Sequence, residues 1–262
     1  MLMGKTVVVT GAASGIGQRT AELAQVMGAN VFSVDRNKPD RPVGHFVQAD
    51  LGSEAGVRAL VEALPSGIDA LANVAGLSGT PGRAPTIAVN FLGLRALSLG
   101  LAPKINQFGS VINVASIAGF GWRTNLDRAK KAVAVEGFPQ DVEAYCDDHD
   151  IHNETSYPDS KELLLLWTYQ AAHLPVFKGR YIRVNAVSPG PVETPILRQF
   201  RDVLGDARVN SDIDRVGRPG TANDIAPAIL FLASDGARWI NGTNLACDGG
   251  LEASVMADAM DF

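Results

Sequence analysis

Cysteine, histidine and basic residues are scarce in this sequence of 262 residues. The two cysteines, Cys146 and Cys247, have neither the spacing of a metal site nor that of a CxxC redox motif. The four histidines form no ligand pattern, so we expect reduced thiols and no metal. Acids outnumber lysines and arginines by 28 to 23. This balance argues against a nucleic acid partner, which would require a basic surface.

Long apolar runs are also absent. No uninterrupted run approaches the roughly 18 residues that a helix needs to cross a bilayer, and the longest candidate is residues 163–167. The N-terminus leads directly into a strand-like segment, which leaves no space for a signal peptide. These features predict a cytoplasmic protein without a membrane partner.

The sequence does contain a regular alternation of β-branched apolar runs and helical patterns. Strands are predicted at residues 6–10, 30–35, 45–49, 67–73, 110–116, 181–188 and 243–247. Helices are predicted at residues 15–27, 54–64, 84–101, 157–175 and 222–234. The alternation predicts an α/β fold with a parallel sheet and helices on both faces. The length fits one doubly wound domain over residues 1–262.

A glycine-rich loop connects the first predicted strand to the first predicted helix. Gly11, Gly15 and Gly17 have the spacing GxxxGxG. Glycine has no Cβ, so the chain can turn sharply here and its backbone can approach a pyrophosphate closely. The N–H groups at the start of the helix would then point at the phosphates. The loop predicts a dinucleotide-binding site.

An acid ends the second predicted strand. The carboxylate of Asp35 could accept both hydroxyls of an adenine ribose and would repel a 2′-phosphate, so it favours NAD over NADP. Arg36 could pair with such a phosphate, which leaves NADP open as the less favoured cofactor. Asp50 and Leu51 follow the third strand, where they would suit the adenine ring. Residues 73–76 end the fourth strand at the carboxyl edge, where α/β sheets bind ligands.

Four polar side chains suggest acid–base chemistry. Tyr157 and Lys161 are four residues apart and would share one face of a helix. A nearby ammonium stabilises a phenolate and makes tyrosine a usable base. Ser116 ends a strand, where its hydroxyl could hold a substrate oxygen near the tyrosine. Asn90 stands among apolar helical residues, where it could serve a water relay or a hydrogen bond that distorts the helix.

This ordered set of motifs resembles the short-chain dehydrogenase/reductase family over nearly the whole chain. The resemblance implies that Tyr157 exchanges a proton with the substrate oxygen and that Ser116 orients this oxygen. Lys161 would lower the pKa of the tyrosine and hold the nicotinamide ribose, and Asn90 would fix a relay water. The implied cofactor-binding residues are Gly11, Ser14, Gly15, Ile16, Gly17, Asp35, Arg36, Asp50, Leu51, Asn73, Ala75, Gly76, Tyr157, Lys161, Pro189, Gly190, Val192 and Thr194.

The stretch between Ser116 and Tyr157 is long for this family. We interpret residues 120–155 as a mainly helical insertion, with helical patterns at 127–136 and 141–147. The insertion resembles that of a subgroup with bacterial 3α-hydroxysteroid dehydrogenase/carbonyl reductase and coniferyl alcohol dehydrogenase. Its acidic part could be a solvated face or could gate the substrate. Family tetramers bury the catalytic helix between subunits, so an insertion before it favours a homodimer over a homotetramer.

Apolar residues follow Thr194 in a helical stripe. The stripe consists of Ile196, Leu197, Phe200, Val203 and Leu204. It could pack on the sheet, or Ile196, Leu197 and Phe200 could line an apolar substrate pocket.

The sequence thus predicts an NAD-dependent dehydrogenase that interconverts a bulky apolar alcohol and its aldehyde or ketone. The alcohol would be a coniferyl-type aromatic alcohol or a 3α-hydroxysteroid. The alternatives are an NADP-dependent carbonyl or 3-ketoacyl thioester reductase, and a non-catalytic nucleotide-binding regulatory protein.

Overall fold

Seven parallel strands form one sheet in the order β3-β2-β1-β4-β5-β6-β7 in this computed structural model. The structure describes residues 2–204 and 206–261, apart from the side chains of residues 202–204. The strands are β1 (Thr6–Thr10), β2 (Asn30–Asp35), β3 (His45–Gln48), β4 (Ile68–Asn73), β5 (Ile105–Val114), β6 (Arg183–Pro189) and β7 (Asn244–Cys247). The chain reverses its direction across the sheet between β1 and β4, which places a crevice at the carboxyl ends of these strands.

Helices cover both faces of the sheet. They are α1 (Gly15–Val26), α2 (Glu54–Ala63), α3 (Arg83–Ile87), α4 (Leu94–Leu101), α5 (Leu126–Ala134), α6 (Val142–Asp148), α7 (Ser156–Ala171), α8 (Pro175–Lys178), α9 (Pro195–Leu204), α10 (Asp206–Val216), α11 (Ala222–Ala233) and α12 (Leu251–Ala259). The predicted doubly wound α/β fold with a helical insertion is confirmed.

Successive side chains of a strand point to opposite faces of the sheet, and the core accordingly forms two clusters, one on each face. Val8 of β1 belongs to the cluster that contains α2, α4 and α7, whereas Val7 and Val9 belong to the cluster that contains α1 and α11. All three valines are fully buried, as expected for a strand that has helices on both sides. Burial of one such side chain contributes roughly 1.5–3 kcal/mol to folding.

The helix predicted at 84–101 is not uniform. Helix α3 continues into a π-helix at Ala88–Gly93 and then into α4. The stretch Arg83–Lys104 is apolar and long enough to cross a membrane by length and composition alone, although the sequence has no uninterrupted apolar run of that length. In the structure, 67% of its most apolar window is buried inside the protein.

Three arginines fasten the insertion to the rest of the fold. Arg83 at the start of α3 pairs with Glu143 and Asp147 of α6. Arg95 of α4 donates to the carbonyl oxygens of residues 133, 135 and 137, at the end of α5 and just after it. Arg128 of α5 pairs with two acids of α7. In the acidic part of the insertion, residues 141–154, Glu143 and Asp147 are therefore held in ion pairs with Arg83.

Candidate active site

The glycine loop after β1 leaves the start of α1 open toward a cleft of about 370 Å³. Gly11 has φ +69°, and a Cβ there would come within 2.8 Å of the backbone of Ala75. Gly15 has φ +55°, a left-handed conformation that favours glycine. Ser14 precedes the helix and makes no capping hydrogen bond, and the first turn carries no acid. Uncapped N–H groups beside a close backbone approach fit a pyrophosphate.

Asp35 lies in the same cleft at the end of β2. Its carboxylate accepts hydrogen bonds from the backbone N–H groups of Ala13 and Asn37, at 3.0 and 2.9 Å. Arg36 also lines the cleft. The two N–H groups fix the direction of the Asp35 carboxylate, as a ribose acceptor requires.

The next part of the cleft follows β3 and β4. Asp50, Leu51, Ala75 and Gly76, for which the sequence predicts a role in cofactor binding, all line it. Asn73 is different, because it is fully buried and does not line the cleft. Its side chain points into the core, where Nδ2 donates to Ser98 at 2.8 Å and to Asn113 at 2.9 Å. Asn73 thus joins β4 to α4 and β5 and lies behind the site.

Thr10 connects the glycine loop after β1 to the loop after β4, and both loops border the cleft. The hydroxyl of Thr10 accepts hydrogen bonds from the backbone N–H groups of Val74 and Ala75, at 2.9 and 3.1 Å. The glycine loop and the loop after β4 are therefore held at a fixed distance.

Helix α7 carries Tyr157 and Lys161 at the other end of the cleft. The Lys161 Nζ lies 5.6 Å from the centroid of the tyrosine ring and donates to the carbonyl oxygen of Val114 at 2.9 Å. Burial lowers the pKa of Lys161 to about 8. Burial also raises the pKa of Tyr157 to about 12, and the Ser116 hydroxyl opposes this rise. In this arrangement burial outweighs the neighbouring groups, so a lowered tyrosine pKa stays a prediction.

Ser116 follows β5 and faces the same cleft. It also begins a short 3₁₀-helix at Ile117–Arg123, where its Oγ accepts from the N–H of Ala118 at 3.1 Å. Ser116 is 8% exposed, so its hydroxyl is sheltered from bulk water. The serine just after β5 and the tyrosine and lysine of α7 thus line one part of the cleft, beside apolar residues.

Asn90 lies within the π-helix and is fully buried. Its Oδ1 accepts from the N–H of Leu77 at 2.7 Å, and its Nδ2 donates to the Leu77 carbonyl oxygen at 2.9 Å and to Ser160 at 3.0 Å. The helix is distorted at the residue that makes these bonds, which agrees with one of the two predicted reasons for an asparagine here. Asn90 does not line the cleft but supports Leu77, which does.

The end of β6 and the segment that follows it form another wall of the cleft. Pro189, Gly190, Val192 and Thr194, which the resemblance assigns to the cofactor, line it. A Cβ at Gly15 would lie 3.3 Å from the Thr194 methyl carbon, so this segment lies directly over the glycine loop.

Helix α9 continues the same wall. Ile196, Leu197 and Phe200 all line the cleft. Of the two open alternatives for the apolar stripe, the structure places these three residues at the cleft wall. The side chains of Val203 and Leu204, the other members of the stripe, lie outside those that the structure describes.

Some residues of the cleft are not evident from the sequence. Leu77, Val89, Val114 and Gln199 line it without belonging to a predicted motif. Leu77 directly follows the predicted segment 73–76, and this position next to the segment is the only sequence feature that could have indicated its place in the cleft. Gln199 lies on α9 next to the apolar stripe but is not one of its members, and its Oε1 accepts from the hydroxyl of Ser78 at 2.5 Å.

Comparison with known proteins agrees with this geometry. Residues 5–127 match the short chain dehydrogenase family, and residues 142–252 match a family described as enoyl-(acyl carrier protein) reductase. Residues 128–141, which neither match covers, lie inside the insertion.

Three relatives cover almost the whole chain. A coniferyl-alcohol dehydrogenase of Pseudomonas sp. (strain HR199 / DSM 7063) is 38% identical over 97% of this chain and 99% of its own. Momilactone A synthase of Oryza sativa subsp. japonica is 32% identical over 100% of this chain and 94% of its own. A 3-alpha-hydroxysteroid dehydrogenase of Pseudomonas sp. B-0831, solved with NADH, is 28% identical with a TM-score of 0.81, over 97% and 99%. The chain is therefore a member of the short-chain dehydrogenase/reductase family, an oxidoreductase family that uses NAD or NADP.

Proposed function

We propose that this protein is an NAD-dependent dehydrogenase that oxidises a bulky apolar alcohol to its aldehyde or ketone. The observation that carries the proposal is the composition of the single cleft described above. It has Asp35 at one end, and Tyr157, Lys161 and Ser116 beside an apolar wall at the other. The whole-length likeness to a coniferyl-alcohol dehydrogenase favours an aromatic alcohol. A 3α-hydroxysteroid is the second candidate, because the likeness to a 3-alpha-hydroxysteroid dehydrogenase also covers the whole chain.

The residues present fit a nicotinamide dinucleotide. The open start of α1 and residues 11–17 would hold the pyrophosphate, and the oriented Asp35 carboxylate would accept the ribose hydroxyls. Asp50 and Leu51 would border the adenine, and residues 189–194 the nicotinamide. When bound, the cofactor supplies the acceptor of the hydride.

Proton removal from the alcohol is the task of the chain's own residues. Tyr157 would take the hydroxyl proton, and Ser116 would donate a hydrogen bond that keeps the substrate oxygen within reach. The positive charge of Lys161 would stabilise the phenolate as it forms. We further propose that Asn90 fixes the path by which the proton leaves.

The cofactor preference rests on Asp35. Its carboxylate is fixed by two backbone N–H groups, so it cannot easily turn away from a 2′-phosphate. Arg36 beside it is exposed and would favour NADP. We propose a homodimer or homotetramer in the cytoplasm, and a molar mass measured in solution decides the oligomer.

One assay tests the proposal. Cofactor reduction is measured with coniferyl alcohol and with a 3α-hydroxysteroid side by side, each with NAD and with NADP. Turnover of one alcohol with NAD supports the proposal and assigns the substrate class. Faster turnover with NADP than with NAD, together with oxidation of NADPH when the corresponding ketone is supplied, would favour a carbonyl or 3-ketoacyl thioester reductase. Tight cofactor binding without turnover of any alcohol or ketone would favour a non-catalytic binding protein.

A further inference from the structure

A buried carboxylate directly follows Lys161 on helix α7. The side chain of Glu162 is only 5% exposed and points away from the cleft, toward the insertion. Asn125 donates through Nδ2 to both of its oxygens, at 3.0 and 3.1 Å. Arg128 approaches Oε2 at 3.3 Å and also pairs with Asp159 at 2.5 Å. Burial raises the pKa of Glu162, whereas these two donors lower it.

The partners of Glu162 lie in the chain that continues from Ser116. Ser116 starts the 3₁₀-helix Ile117–Arg123, and Asn125 follows that helix. At Gly119 this chain touches the backbone of α7, because a Cβ there would lie 2.7 Å from the carbonyl carbon of Lys161. At Gly121 it touches the carboxylate, because a Cβ there would lie 2.5 Å from Oε1 of Glu162. Segment 116–125 thus packs closely against one turn of α7, and the hydrogen bonds from Asn125 to the Glu162 carboxylate hold it there.

That turn carries Lys161, and the segment carries Ser116. Strand β5 is joined to α7 by the hydrogen bonds from Lys161 to the Val114 carbonyl oxygen and from Asn113 to Thr168. Ser116 lies two residues beyond Val114, at the start of segment 116–125, so the contacts of this segment with α7 also set its place. We infer that Glu162 is a positioning residue, whose carboxylate holds segment 116–125 on the catalytic helix and so sets Ser116 against Tyr157 and Lys161. This inference rests on the proposed function, because it assigns Ser116 and Tyr157 to substrate.

The inference has a matched control in the insertion. Glu143 also pairs with an arginine, Arg83 at 2.7 Å, and also fastens the insertion to the domain, but it does so through α3 and α6. Glu143→Gln therefore removes one carboxylate charge from another ion pair of the insertion, a more exposed one, without removing a contact of segment 116–125 or α7. Asn125→Ala leaves Glu162 in place and removes its bidentate donor. It serves as a second variant if Glu162→Gln does not fold.

The experiment compares wild type, Glu162→Gln, Asn125→Ala and Glu143→Gln on the alcohol that the wild type oxidises best. A displacement of about 1 Å at the reacting groups can cost up to roughly 100-fold in rate, so we expect kcat to fall about tenfold in the first two variants. The KM for NAD stays within about twofold. The pKa that governs the pH profile of kcat rises, because Lys161 and Ser116 stabilise the phenolate less well. Glu143→Gln keeps the wild-type kcat and pH profile.

Amide hydrogen exchange of the cofactor-free protein adds a readout that does not depend on activity. We expect faster exchange over residues 117–123 in Glu162→Gln and Asn125→Ala, but not in Glu143→Gln. A wild-type kcat, pH profile and exchange rate in both test variants would overturn the inference, even if their melting temperatures fell. If the wild type oxidises no alcohol, the proposed function fails, and the exchange data alone still report whether Glu162 holds the segment.

Discussion

The ring of Phe200 packs edge-on against the ring of Tyr157, with centroids 4.5 Å apart and planes at 62°. Helix α9 thereby covers the proposed base with an apolar side chain. We expect Phe200→Ala to raise KM for an apolar alcohol about tenfold, because a lost aromatic contact and lost burial together cost roughly 1–2 kcal/mol. The KM for NAD should change little. Steady-state kinetics with both substrates varied checks this, and an unchanged KM for the alcohol would place the substrate away from α9.

Removal of the Tyr157 hydroxyl should abolish the acid–base step and spare the cofactor site. We expect Tyr157→Phe to lower kcat by roughly two or more orders of magnitude, with an unchanged Kd for NAD. Tyr169→Phe is the matched control, since Tyr169 lies on the same helix outside the cleft lining and contacts Trp122. Near-normal turnover in Tyr157→Phe would refute the assigned role.

Asp35 should decide between the two cofactors. We expect Asp35→Ala to lower the preference for NAD at least about tenfold, since the loss of one charge-assisted contact costs roughly 1.5–3 kcal/mol and the repulsion of a 2′-phosphate disappears. The ratio of kcat/KM for NAD and NADP measures the preference. Asp40→Ala changes an exposed acid outside the cleft lining and should leave the ratio as it is. The same ratio in Asp35→Ala and wild type would mean that Asp35 does not contact the ribose.

Lys161 should make the protein less stable at neutral pH. Its pKa falls from an ordinary 10.5 to about 8 on folding, so the buried charge opposes folding below pH 8. Between about pH 8 and 10.5 the unfolded chain holds the extra proton, so stability rises with pH and this cost disappears. We therefore expect Lys161→Met to be inactive but more stable at pH 7 by about 2 kcal/mol, after allowance for the lost bond to Val114.

Chemical denaturation of the cofactor-free protein at pH 7 and pH 9.5 measures this difference. The advantage of Lys161→Met over wild type should shrink at the higher pH. An advantage that is absent at pH 7, or that grows with pH, would show that the lysine is not held as a buried charge. Lys130→Met replaces an exposed lysine of the insertion and controls for a change in net charge.

The sequence predicts the sheet well because its signals are local. Three consecutive valines mark β1, and the glycine-rich loop follows this strand directly. The start of β5 is missed, because residues 106–109 contain Asn106 and Gln107, and the pairing of β4 with β5 shifts register between Ile68 and Ala70. Phe108 there has φ +66°, which no strand pattern indicates. The strand therefore begins at residue 105 and not at 110.

The residues around the cleft are predictable where the backbone alone brings them there. Asn73 shows the limit of this reasoning. It ends a strand at the correct edge, but adjacent side chains of a strand point to opposite faces, and the motif does not tell which face is the cleft. Gln199 shows a different limit, because its place at the wall depends on how α9 packs over the site. No local pattern contains that information.

Arg95 makes the inserted helices and the domain mutually dependent. Its guanidinium is buried and is satisfied by three carbonyl oxygens that belong to the insertion. A chimera in which residues 120–155 are replaced by a short loop would leave that charge in the protein without its acceptors, at a cost of several kcal/mol. Grafts of this kind should succeed only when Arg95 is exchanged for an apolar residue at the same time. In the history of the family, the insertion and its arginine are therefore expected to have been gained or lost together.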